Sequence, residues 1–285
     1  MNLDESVFPN HPCQKKGWLL PSLVRFDATL SKRWEYWLNT LDAGQLLAQP
    51  IPQIHWLFAP HPTPQKNLTD VLSRCPHQTA FEAFRLFVDW LLYALGDASV
   101  DAAPSGIDPS LHLQWYETFN LGLYLKHPYD YLGHYAADLY SSGRRNPTAY
   151  FPTPMHLSVC MAKMVMGVED KTASVCDPCV GSGRLLMAAS NYSLNLYGMD
   201  IDLLIVKVCR INMWWYVPWC IYRPKTLKGI EWVSPPLSQT DTLEPHPVRT
   251  LTPQEHKQLE KAIQLELFST KAGSITPNTN KEDNS

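Results

Sequence analysis

The sequence predicts an α/β domain built on an open parallel sheet and preceded by a helical domain. Three observations predict it. Between residues 172 and 216 the order is apolar run, glycine turn, helix, apolar run ending in an acid, helix, which is half of a parallel α/β unit. Ahead of it lie apolar segments rich in Trp and Phe with helical rather than alternating spacing. The 285 residues are 45% hydrophobic and 18% charged, which is enough to bury a core.

With 24 Lys+Arg against 27 Asp+Glu, the net charge of −3 excludes a polybasic nucleic-acid coat, and the apolar content excludes a disordered chain. A local basic face remains compatible with DNA. The seven cysteines, at 13, 75, 160, 176, 179, 209 and 220, are odd in number and scattered, and no basic-then-apolar leader precedes them. They are expected to be small core residues in a reducing, cytoplasmic setting. The apolar run Ile211 to Ile221 is too short to span a bilayer and is broken by Pro218.

In chain order, Ser31 to Leu47 is a helix candidate through Trp34, Trp37, Leu38, Leu41 and Leu46, stopped by the proline-rich stretch 50–64. Thr79 to Gly96 carries Phe81, Phe84, Leu86, Phe87, Trp90, Leu91 and Leu95 and leaves little polar face, as expected of a central helix. Residues 97–110 read as a loop, and 111–124 and 128–140 as further helices. Past the polar link around Arg144 and Arg145, an amphipathic helix is predicted over about Met155 to Met166. Strands follow at 172–177 and 194–200, each before a helix, and 228–237 is a third strand candidate. Thr252, Pro253 and Glu255 open one more helix candidate, 252–269, with a capping box. The boundaries expected are 1–127 for the helical domain, 128–270 for the α/β domain and 271–285 for a flexible tail.

The chemistry concentrates in Asp177-Pro178-Cys179-Val180-Gly181-Ser182-Gly183. Its glycines permit a tight turn and close approach of backbone to ligand. No Lys-Ser/Thr pair follows, which disfavours a triphosphate loop. Asp200, 23 residues after Asp177 and just past the second strand, is placed to accept hydrogen bonds from ribose hydroxyls. A structural turn and a helix-capping acid are the plainer alternatives for the loop and for Asp200. Cys176 and Cys179 form a CxxC pair for which packing is favoured over zinc or redox chemistry, since no further ligands share its rhythm. No metal site is expected, and the ten histidines are isolated. Trp214, Trp215, Tyr216 and Trp219 read as core or a partner-facing patch rather than a base-stacking surface.

Phe151-Pro152-Thr153-Pro154, the glycine motif 177–183 and Gly198-Met199-Asp200-Ile201-Asp202, in this order after a helical domain, resemble the cofactor half of the adenine-N6 DNA methyltransferases. The likeness runs over about 128–237 and is greatest to modification subunits of type I restriction systems and their stand-alone relatives. It implies a Rossmann-like S-adenosylmethionine-dependent methyltransferase fold, here incomplete. It implies cofactor contacts by Phe151, Thr153, Pro154, Asp177, Pro178, Gly181, Gly183 and Asp200. The catalytic corner of that family is an Asn/Asp-Pro-Pro-aromatic tetrapeptide that accepts the adenine amino hydrogens and stacks on the flipped base. The nearest segment here is Ser234-Pro235-Pro236-Leu237, so catalytic roles fall on Ser234, Pro235 and Pro236. Serine lacks the carbonyl of Asn, and leucine lacks a π face. A plain turn after an edge strand is the alternative for this segment.

Two readings result. One is an S-adenosylmethionine-binding protein that methylates the adenine amino group of DNA if active. The other is a non-catalytic methyltransferase-like scaffold that works through a protein partner. No target-recognition domain is visible, so a second subunit would supply specificity or complete the sheet.

Overall fold

A computed structural model describes residues 15–75, 78–142 and 150–232. Seven helices come first: α1 (Leu20–Thr29), α2 (Arg33–Ala43), α3 (Pro62–Leu72), α4 (Ala80–Ala94), α5 (Pro109–Thr118), α6 (Leu121–Lys126) and α7 (Tyr131–Ser142). Then come α8 (Met155–Met166), β1 (Ser174–Asp177), α9 (Arg184–Ala189), β2 (Asn195–Gly198), α10 (Leu203–Tyr216) and α11 (Pro218–Ile221). The architecture is a helical region followed by a small open α/β sheet, an incomplete Rossmann-like arrangement.

β1 and β2 pair in parallel, with Ser174 opposite Asn195 and Asp177 opposite Gly198, so both strands deliver their last residues to the same end. β2 carries the buried Leu196 and Gly198. A Cβ on Gly198 would come within 2.6 Å of Val180, so only glycine lets the strand lie this close to the loop. Among the described residues the sheet has two strands. The third strand candidate is corrected over its described part: residues 228–232 make only isolated bridges, Gln45 with Lys228 and Leu227 with Ile230. Instead of a strand, Arg223 closes the outer edge of β2, its Nη2 donating to the Leu196 carbonyl at 2.9 Å. Residues 233–237 of that candidate, the 252–269 helix candidate and the tail lie outside the described residues.

The helical region is packed onto α10. Trp215, fully buried, meets Tyr124 at 5.2 Å and Phe119 at 6.3 Å, and Trp214 stacks on Trp34 at 5.6 Å. The Trp214–Trp219 cluster is therefore core. Two buried charges tie the regions together. Arg210 on α10 pairs with Asp97 at 3.0 Å, and Trp214 Nε1 donates to the same carboxylate at 2.6 Å. Arg33 is fully buried, and burial pulls its guanidinium down to about 9. It donates to the Pro52 carbonyl at 2.8 Å, to Ser190 Oγ at 2.6 Å, to the Tyr216 carbonyl at 3.0 Å and to Asn191 Oδ1, with Trp219 beneath it at 5.1 Å. A charge so deep is tolerated because every side of the fork has an acceptor or a ring face.

Several elements differ from the sequence expectation. α3 begins inside the proline-rich stretch 50–64 that was read as a break, with Pro62 at its first position, where the missing N–H is harmless, and α1, with Pro21 at its second position, was not among the helix candidates. α2 begins at Arg33, because Lys32 adopts φ +58° and Asp27 receives the N–H groups of Arg33 and Trp34 at 3.1 and 2.8 Å. The Thr79 capping box with Glu82, unnoticed in the sequence, fixes the start of α4. No helix among the described residues is long and apolar enough to cross a membrane.

Candidate functional site

The strand ends and the glycine turn enclose a cleft of about 280 Å³ lined by Tyr150, Phe151, Thr153, Asp177, Gly181 and Asp200, with Ser182, Arg184, Ile201 and Asp202 also contributing. Its floor follows from β1 stopping at Asp177. The Asp177 carboxylate takes the Cys179 N–H at 3.1 Å, which bends the chain back, and Val180 N then donates to the Met199 carbonyl at 2.9 Å across the strand ends. Gly181 and Gly183 both have positive φ, +55° and +91°. This double turn is costly for any residue with a Cβ.

Asp200 stands at the end of β2, half-buried, and one of its oxygens accepts Gly181 N–H at 2.8 Å while the other accepts Asp202 N–H at 3.0 Å. It thus sets the height of the loop and keeps lone pairs toward the cleft. The helix-capping alternative for Asp200 falls to its neighbour: Asp202 caps α10 through Leu204 and Ile205 N–H at 3.0 and 3.2 Å, and receives Tyr140 OH at 2.7 Å. Burial pushes the Asp177 carboxyl above its ordinary value, and the nearby Asp200 charge adds to this, outweighing the Cys179 N–H.

What holds the loop was not legible in the motif itself. Asp130, fully buried at the start of α7, accepts Ser182 Oγ at 2.6 Å and Arg184 Nε at 2.7 Å on one oxygen. Its other oxygen takes Gly133 N–H and Asn212 Nδ2, both at 2.8 Å. Arg184 continues to the Thr153 carbonyl at 3.1 Å, and Asn212 to the Ser182 carbonyl at 2.9 Å. One carboxylate therefore locks α7, the glycine loop, the 150–154 segment and α10 into one rigid frame. The sequence signal was an acid before a helix together with Ser and Arg inside the glycine turn, which local spacing cannot connect over fifty residues.

Of the residues expected to contact cofactor, the structure brings Phe151, Thr153, Asp177, Gly181 and Asp200 to the cleft. Phe151 is 81% exposed and stands at its mouth beside the exposed Ile201. Pro154, Pro178 and Gly183 are not among the lining residues. Pro154 caps α8, and Gly183 packs where a Cβ would sit 2.7 Å from Cys209 Sγ. Ser234, Pro235 and Pro236 lie outside the described residues. The packing expectation for Cys176 and Cys179 is corrected: both are exposed free thiols, placed at the strand end and the turn where the chain leaves the sheet.

No curated protein matches the chain. A family model described as N-6 DNA Methylase matches residues 126–216, a span that begins just before Asp130, includes the glycine turn and Asp200, and ends with α10. The frame around Asp130 and the cleft above it lie within the matched span, and over residues 126–216 this chain is similar to the N-6 DNA methylases.

Proposed function

We propose that the cleft binds S-adenosylmethionine and that the chain is an adenine-N6 methyltransferase-type protein with an altered catalytic corner. The observation that supports this most is the convergence of two carboxylates, Asp177 and Asp200, from adjacent parallel strands onto a cleft floored by a glycine turn. That donor set fits the cofactor. Asp200 retains acceptor capacity for ribose hydroxyls, and Asp177 places negative charge where a cationic ligand would lie. Phe151 and Thr153 would flank the methionine part. When bound, S-adenosylmethionine supplies an activated methyl group; this chain's own residues orient it and hold the loop still.

On this reading the acceptor is an adenine amino group in DNA, and Ser234, Pro235 and Pro236 form the corner that would receive it. All six described cysteines are free, in keeping with a cytoplasmic protein. The second reading, a non-catalytic scaffold acting through a protein partner, is favoured by serine standing where the family has Asn or Asp and by Leu237 in place of an aromatic residue.

Calorimetric titration with S-adenosylmethionine tests the first claim. Micromolar binding is expected in the unmodified protein, and Asp200→Ala should weaken it at least about tenfold, or 1.4 kcal/mol. No heat of binding at millimolar ligand would sink the cofactor site, and unchanged affinity in Asp200→Ala would sink the ribose assignment. A methylation assay on adenine-containing DNA then separates the enzyme from the scaffold.

A further inference from the structure

α8 was expected to be amphipathic, with one apolar face. In the structure it carries two apolar stripes, side by side and roughly 110° apart at 3.6 residues per turn. Met155, Ser158 and Ala162 are buried against the body of the protein, where α8 packs on α9. Beside this face Leu157, Met161, Met164 and Val165 follow the i, i+4, i+7, i+8 spacing of a second stripe and are exposed, Met164 by 79% and Val165 by 78%. Val168, just past the Gly167 cap, is 75% exposed. At the first turn, Phe58 adds an exposed ring against His156, with centroids 6.3 Å apart.

An apolar arc wider than the stripe that α9 covers is normally covered by a second neighbour. The stripe of five side chains exposes on the order of 600 Å² of apolar surface, at or beyond the largest patch of a typical monomer. That is most of the roughly 800 Å² each partner contributes to a standard protein interface. The stripe carries no charge: Lys163 and His156 sit on the side of the helix away from both stripes. Leu and Val at its ends and Met between them are close to self-matching when the helix is reversed, as a two-fold axis requires.

We propose that α8 is a homodimer seam, the occupant of its outer face being α8 of a second copy of this chain packed antiparallel across a two-fold axis. Cys160, exposed and one residue from the middle of the Leu157–Val165 stripe, then comes within about 10 Å of its symmetry mate, given ordinary helix-to-helix spacing.

The test uses the full chain. Sedimentation at tens of micromolar should give twice the 32.5 kDa chain mass, and Met164→Glu with Val165→Glu, both at exposed sites, should give the chain mass with unchanged circular dichroism. In a Cys13→Ser, Cys176→Ser, Cys179→Ser background, a short bis-maleimide should join two chains through Cys160, and Cys160→Ser should abolish the product. A monomer at every concentration would overturn the proposal and leave the face to another segment or another protein. A dimer that survives the two Glu substitutions and is not cross-linked through Cys160 would overturn it too, since the contact would then lie elsewhere.

Discussion

Replacing Gly133 by alanine sets helix propensity against tertiary structure. The residue lies in the first turn of α7, where alanine is favoured over glycine by about 1 kcal/mol, so local reasoning expects a more stable protein. The structure reverses the sign. A Cβ built on Gly133 meets Asp130 Oδ2 at 2.2 Å and Ser182 Cβ and Oγ at 2.5 Å, and none of these is the free end of a flexible side chain. Asp130 is held by Ser182, Arg184, Asn212 and Gly133 itself, so it can yield only by lengthening charge-assisted bonds. Overpacking costs roughly 1–3 kcal/mol, and weakening one bond to a buried charge adds about 1.5–3 kcal/mol. Net of propensity, Gly133→Ala should destabilise the protein by about 1.5–5 kcal/mol, which lowers Tm by roughly 3–20 °C for a chain of this size. Urea unfolding followed by tryptophan fluorescence measures the first and differential scanning calorimetry the second. Because the displaced groups belong to the glycine loop, S-adenosylmethionine affinity should fall with stability. A Tm equal to or above that of the unsubstituted protein would refute the idea that this carboxylate holds the loop.

Two further outcomes follow from the charges. Since burial and Asp200 raise the Asp177 carboxyl above its ordinary value of 3.8, its negative charge is lost on acidification earlier than for a free aspartate. Affinity for a cationic ligand should therefore fall as pH drops toward the raised value, and Asp177→Asn should bind weakly with a flat pH profile; a profile identical to that of the unsubstituted protein would exclude Asp177 from the ligand's field. At Asp97 burial alone would raise the carboxyl, but Arg210, Ser99 and Trp214 outweigh it and leave it lowered from 3.8. A depressed acid contributes stability above its unfolded pKa and loses it as pH falls through the folded value. Asp97→Asn, which strands the buried Arg210, should thus cost about 3–5 kcal/mol near neutrality, with the gap to the unsubstituted protein closing below about pH 3.8. A gap in unfolding free energy that stays constant down to pH 2 would place the contribution elsewhere.

Local pattern carried much of this protein. The order of strand, glycine turn, helix, strand and acid fixed β1, α9, β2 and α10 in sequence, because a backbone that must take positive φ at Gly181 and Gly183 and then start a helix leaves few alternatives. The apolar spacing of α4 and α8 was equally legible. Tertiary structure decided the rest. Asp130 reaches Ser182 and Arg184 across more than fifty residues, and Arg33 reaches Ser190 across 157. No local periodicity records such pairings, since they exist only once the helical region has closed on α10. The two stripes of α8 carry the same lesson: one is covered by α9, and the other is seen to stay exposed among the described residues only when the neighbours are in place. The sequence by itself determined the cleft's donor set, Asp177, Asp200 and the glycine turn. The fold alone determined what holds them rigid, because a buried carboxylate finds its partners through packing and not through spacing.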